Sequence, residues 1–167
     1  MSDALLDAIK SAFRSRGWQF EPIEGQLVVE SIFEAHHTRV RVHAQAFPEI
    51  NAVSVVGYAG STVPLARAGV VAEMLMRLNQ LLTVGNFEMD YDAGTVFFRA
   101  ANLFVATADP RLIAGLVHST VAEIDRLTPF LTLVLRMNTR ELSELNLKLF
   151  LQREDLLPPV DRGENAS

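Results

Sequence analysis

The sequence contains no cysteine. That removes disulfides, thiolate nucleophiles and cysteine-ligated zinc at once, and it fits a reducing cytoplasm, the expected location. Lysine is scarce: Lys10 and Lys148 are the two present, and the other basic residues are scattered arginines. With 15 basic against 20 acidic residues the formal net charge is −5. Nucleic-acid binding needs clustered positive charge, so nucleic acid is not an expected partner. Long apolar runs are missing too. The most apolar helical stretch, Val70 to Leu82, is interrupted by Glu73, Arg77, Asn79 and Gln80, which makes it too short and too polar to span a bilayer. The opening MSDALLDAIKSAF carries Asp3 and Asp7 and no basic region ahead of an apolar run, so it reads as a helix start rather than a secretory signal. There is no Gly-x-Ser-x-Gly elbow and no Gly-x-Gly-x-x-Gly. Gly60-Ser61-Thr62 lacks the Gly-Lys-Ser/Thr of a phosphate loop.

What is present is a globular composition. Of 167 residues, 49% are apolar and 21% charged, enough for one domain with a sizeable core. Residues 1–153 are read as a single α+β domain and 154–167 as a polar, disordered tail. Ser2 and Asp3 can cap a first helix to about Arg16, with Leu5, Ile9 and Phe13 on one face and Gly17 at its end. Three strands follow, Gln26–Glu34, Thr38–Phe47 and Asn51–Tyr58. In the second, Val40, Val42, Ala44 and Ala46 alternate with Arg39, Arg41, His43 and Gln45, the period of a half-buried antiparallel strand. Ala59 to Val63 reads as a loop. A helix from Pro64 to about Leu82 carries a core stripe, Val71, Leu75, Leu78 and Leu82, and a second stripe, Val70, Met74 and Leu81.

The stretch GNFEMDYDAGTVFFR, Gly85 to Arg99, reads as a hairpin. Phe87, Met89 and Tyr91 are expected to face one way, Glu88, Asp90 and Asp92 the other, with Asp92-Ala93-Gly94 as the turn. A long helix opens at Asp109-Pro110, with Leu112, Leu116, Ile124 and Leu127 on its buried side and a kink or break near Thr128 imposed by Pro129. A last helix runs from Asn138 or Thr139 to about Gln152.

Few residues invite chemistry. Asp90-x-Asp92 has the start of a calcium loop, but glycine falls at the fifth position and Ala101 at the twelfth. Solvent-facing acids opposite Arg99, Arg39 or Arg41 are the plainer reading. His36, His37, His43 and His118 show no metal-ligand spacing; His36 and His37, adjacent on an extended chain, should diverge. An enzyme would need Glu88, Asp90 and His43 to converge in a cleft. No catalytic residue, metal or cofactor is expected, and the chain is read as non-enzymatic.

The remaining signal is apolar excess. The helix from Pro64 and the last helix carry apolar residues around more of their circumference than one core face needs. Val28, Ile32 and Phe97 share parity with polar residues on the sheet's outer face, where another helix of the chain or a partner can cover them. The candidate protein-binding residues are Val70, Met74, Leu81, Leu147 and Leu151, in a homodimer contact or a docking site for another protein. Addition of a strand to a sheet edge is a second mode. The alternative reading is a small-molecule sensor with a closed apolar pocket between helix and sheet.

The run from Leu78-Asn79 through Gly85-Asn86-Phe87-Glu88 to Gly94-Thr95-Val96-Phe97-Phe98-Arg99 resembles the YbjN family of bacterial proteins, described as sensory transduction regulators. Gly17-Trp18, Val63-Pro64 and Val121 to Pro129 also fit, so the likeness covers about Leu5 to Phe150. The resemblance implies a fold similar to type III secretion chaperones, in the order α-β-β-β-α-β-β-α plus the C-terminal helix. Those chaperones are homodimers that bind extended client segments. It carries over no catalytic residue. A chaperone-like or regulatory protein-binding module is therefore the expected function, with its partner unnamed.

Overall fold

The computed structural model describes residues 4–158. The first helix, α1 (Ala4–Ser15), buries Leu5, Ala8, Ile9, Ala12 and Phe13 along one stripe. Its expected caps, Ser2 and Asp3, lie outside the described residues. Gly17 closes the helix at φ +67°, a left-handed position that disfavours any residue with a Cβ.

Six strands then build one antiparallel sheet in the order β1-β2-β3-β4-β6-β5. They are β1 (Glu21–Pro22), β2 (Val28–Glu34), β3 (Arg39–Phe47), β4 (Ala52–Thr62), β5 (Asn86–Asp90) and β6 (Thr95–Leu103). β1 has no counterpart in the sequence reading, because two residues with a proline carry no periodicity. β4 runs on to Thr62 through the segment read as a loop. Its pairing with β6 shifts register between Tyr58 and Thr62, and such a bulge erases the period-two signal. In β3 the expected alternation holds: Val40, Val42, Ala44 and Ala46 are buried, while Arg39, Arg41 and Gln45 are exposed.

The inner face of the sheet takes every long helix. The helices α1 and α3 (Pro110–Arg136) lie across its centre, and α2 (Leu65–Asn79) packs on β5 at one edge. The outer face carries no helix among the described residues, and Ile32 there is 56% exposed. Of the two expected covers for that face, a helix of the chain is not found among the described residues.

Three expectations for the second half of the chain need correction. First, α3 continues through Pro129. A mid-helix proline costs about 3 kcal/mol, but Leu127, Phe130, Leu131 and Val134 are buried on both sides of it, and that packing holds the helix together. Second, Leu112 is 54% exposed; the buried stripe runs through Ile113, Leu116, Val117, Thr120 and Ile124 instead. Third, the single last helix is two, α4 (Thr139–Glu144) and α5 (Leu147–Phe150). Asn138 caps α4 in a reciprocal capping box with Glu141, and Asn146 starts α5 by accepting from the Leu149 N–H at 3.2 Å. The tail is ordered at its start, since Glu154–Leu156 forms a 3-10 turn with Leu156 against the core. The rest of the expected disordered tail, 159–167, lies outside the described residues.

The helix α3 meets the sheet at Gly57. A Cβ built there would sit 2.6 Å from Thr120 Cγ2, 3.3 Å from Ile124 Cγ1 and 3.4 Å from Val40 Cγ1. Thr120 is itself fully buried, and its hydroxyl has no hydrogen-bond partner among the described residues. Its methyl is held against β4 although its hydroxyl goes unsatisfied. Gly57→Ala is expected to destabilise the protein by about 2 kcal/mol through overpacking, measured by urea unfolding. Adding Thr120→Ser, which deletes the clashing methyl, should recover most of that loss.

Candidate functional site

The chain from α2 into β5 is built around Asn79. Its side-chain amide donates to the Phe87 carbonyl at 3.1 Å, and its oxygen accepts the Phe87 N–H at 2.7 Å. Phe87 pairs with Phe98 of β6 on one side, so the amide of Asn79 occupies the outward backbone groups of an edge residue. Gly85 sits at φ +77°, where a Cβ would lie 2.5 Å from the Phe98 ring and 2.7 Å from the Arg99 carbonyl. The opposite edge, β1, is two residues long and contains Pro22. The β5 edge is therefore a poor template for a further strand where Asn79 holds it; at the other edge β1 covers only Val29 and Glu30 of β2, so strand addition, one of the two expected binding modes, stays open along residues 31–34.

Beside this clamp lies an apolar groove of about 80 Å³. Leu78, Leu81 and Leu82 line one wall, Leu127 and Phe130 of α3 the floor, and Leu151 and Leu157 the other wall. Leu81 is 75% exposed. It follows the last turn of α2, which ends at Asn79 and not at Leu82 as expected, so its side chain escapes the helix–sheet contact. Glu123 and Arg126 also line the groove, 3.6 Å apart. Burial pushes the Glu123 carboxyl above its ordinary value, and the charge of Arg126 offsets part of that rise.

The five candidate binding residues separate here. Leu81 and Leu151 both line the groove. Val70 is half-buried against the core. Met74 and Leu147 are buried at 0% and 5% exposure, so neither can meet a partner. The physical reason is that α2 turns Met74 inward with Val71 and Leu75, and the break at Asn146 turns Leu147 inward with Phe150. No sequence signal marked that break apart from Asn146 itself, a residue suited to capping. Leu157 was missed because it lies in the segment read as tail.

The acids and histidines also fall into place. Glu88 is bound by Arg99 at 2.7 Å. Asp90 accepts from the Asp92 and Ala93 N–H groups and holds the hairpin turn. Tyr91 enters that turn and is 53% exposed rather than aligned with Phe87. His43 lies on β3, separated from β5 by β4 and β6, so Glu88, Asp90 and His43 do not converge. The rings of His36 and His37 meet edge-on at 4.5 Å; the chain bends there, so they do not diverge. The His37 N–H reaches the buried Asp125 carboxylate of α3 at 2.6 Å and fixes the hairpin to the helix. No group of three or more metal-ligating side chains occurs among the described residues. Among them, too, no helix is long and apolar enough to cross a membrane.

A family model described as YbjN, "Putative bacterial sensory transduction regulator", matches residues 5–133. The chain belongs to the YbjN family. Comparison with curated proteins finds no match. Among solved structures, ExsC in complex with ExsE is similar, with a TM-score of 0.57 at 12% identity, covering 80% of this chain and 96% of that one. YbjN from E. coli is similar at a TM-score of 0.54 and 11% identity, covering 83% of this chain and 92% of that one. The fold is thus that of the type III secretion chaperone-like proteins. The stretch from Asn79 to Arg99, within the matched range, has a visible job: Asn79, Gly85, Phe87 and the Glu88–Arg99 pair together build the edge clamp.

Two predictions arise from this region. Asn79→Ala should cost about 1–2 kcal/mol by leaving the Phe87 groups unpaired and should raise the tendency to aggregate, read by unfolding and light scattering. A glutamate with a raised folded-state pKa favours folding below its unfolded pKa, and that contribution is lost as pH rises through the folded value. Glu123→Gln, fixed in the neutral form, is therefore expected to stabilise the protein at pH 7 by roughly 0.5 kcal/mol, net of the lost Arg126 pairing. The gain should vanish below about pH 4, which urea unfolding at both pH values would show.

Proposed function

We propose that this protein is a non-enzymatic, regulatory protein-binding module of the bacterial cytoplasm. It takes an apolar segment of a partner protein, or of a second copy of itself, into the groove between α2, α3 and the C-terminal turns. The observation that carries this reading is Leu81, a large apolar side chain 75% exposed at the mouth of a groove walled by leucines. Apolar anchors in grooves of this kind supply most of the energy of helix and peptide docking. The fold likeness to ExsC, solved with ExsE bound, supports a scaffold of this shape presenting a surface to another protein. The Asn79 clamp favours a face over the β5 edge as that surface. The bacterial family description and the cysteine-free sequence agree with a cytoplasmic setting.

The test is Leu81→Glu combined with Leu151→Glu. Helix content should stay unchanged, because neither residue is fully buried. Self-association in light scattering, or retention of a specific partner from lysate of the source bacterium, should fall at least about tenfold, the scale of one lost hot spot. Met74→Glu should instead unfold the protein, since it places a charge at a fully buried site. Unchanged association in the double variant would remove the groove from the proposal.

A further inference from the structure

The outer face of the sheet holds a basin of about 450 Å³. Its floor is cross-strand neighbours: Val28 faces Gln45, which faces Ser54, and His43 faces Val56, which faces Arg99. One wall is the turn between β1 and β2, with Ile23 and Gln26; the other is Tyr58 and Phe97, whose rings lie 6.2 Å apart.

The hydrogen bonds on this floor leave an imbalance. His43 stands between Glu30, 2.6 Å from Nε2, and Tyr58, 3.2 Å from Nδ1. A carboxylate only accepts, so Nε2–H donates to Glu30, and Nδ1 shares a second hydrogen bond with the Tyr58 hydroxyl. Arg99 spends Nε and one N–H of Nη2 on Glu88, at 2.7 and 3.4 Å. Its Nη1 reaches Ser54 Oγ only at 3.5 Å. Both carboxylates beside the basin, Glu30 and Glu88, are therefore already held. Of the other arginines on this side, Arg41 lies over the Tyr58 ring at 5.1 Å and Arg39 pairs with Glu34 at 2.5 Å. What stays unclaimed is mostly donors: the Ser54 hydroxyl, which is 6% exposed, the remaining N–H groups of Arg99, and the amide of Gln45. The Gln45 and Gln26 amides make no hydrogen bond to another side chain or backbone group among the described residues. Val28, Val56, Tyr58 and Phe97 add apolar surface around them.

We propose that this basin is a binding site for a small organic carboxylate with a flat apolar body. A carboxylate is a compact organic group that offers several acceptors and no donor, which is what Ser54, Gln45 and Arg99 lack. The apolar body packs against the Tyr58–Phe97 wall. The volume lies in the range of small-molecule sites, which combine apolar lining with a few convergent polar groups. The inference stands apart from the groove, which opens on the other side of the sheet.

The experiment is a titration of the 15N-labelled full chain with phenylacetate, benzoate and indole-3-acetate, with 2-phenylethanol as the neutral control. At least one acid is expected to give saturable shifts at the amides of Gln45, Ser54, Phe97 and Arg99, with a dissociation constant of about 1 mM, the scale for ligands this small. The neutral control should bind at least about fivefold more weakly, and Gln45→Ala and Arg99→Gln should each weaken the acid by a similar factor. Gln45 is exposed, so its variant reads binding even if the Arg99 variant loses its fold. Three results would each overturn the proposal: no saturable shift with any acid up to about 20 mM, equal binding of the neutral control, or acid shifts confined to the α2–α3 groove.

Discussion

The architecture turns on one place where a helix lies against a strand with nothing between them but a glycine. Gly57 lets Thr120 and Ile124 of α3 sit directly on β4. The cost is a fully buried hydroxyl without a partner among the described residues. That contact sets the height of α3 over the sheet. The height in turn sets how Leu127 and Phe130 reach the far end of the helix, where they floor the groove. It also bears on why Pro129 does not break α3: buried side chains hold the helix before the proline at Ile124 and after it at Leu131 and Val134.

The two sides of the sheet divide the work. The inner side is saturated with apolar contact, Val40, Val42, Val55 and Phe98 being fully buried. The outer side pairs charges across strands, His43 with Glu30 and Arg99 with Glu88, and leaves aromatic rings at the surface. A protein with only one core-facing side can present a wide face elsewhere without loss of stability, because that face is not holding the fold together. The two candidate surfaces then draw on different chemistry, leucine side chains in the groove and hydrogen-bond donors in the basin.

Strong periodicity made most of the fold legible. β3 has five side chains out and four in, and α1 has a clean stripe; both were readable because one physical demand, a single buried face, dictated every residue. Legibility failed where two demands compete. At Ala59–Ser61 a bulge replaces alternation. At Pro129 packing overrules a backbone preference. At Asn146 a capping side chain divides a leucine-rich run that otherwise looks like one helix. The candidate site suffered from the same cause. Met74 and Leu81 belong to one apolar stripe in the sequence, but α2 ends between them at Asn79, so one is core and the other surface. The basin gave no signal, because its donors come from strands joined only by the register of the sheet.

The clamp of Asn79 on Phe87 also bears on how copies of this protein can meet. An open sheet edge allows growth without limit, since each added strand exposes another edge like the first. Here one side chain fills the place where the next strand would start, and the far side ends at a proline. The Asn79 clamp thus disfavours open-ended strand addition at the β5 edge.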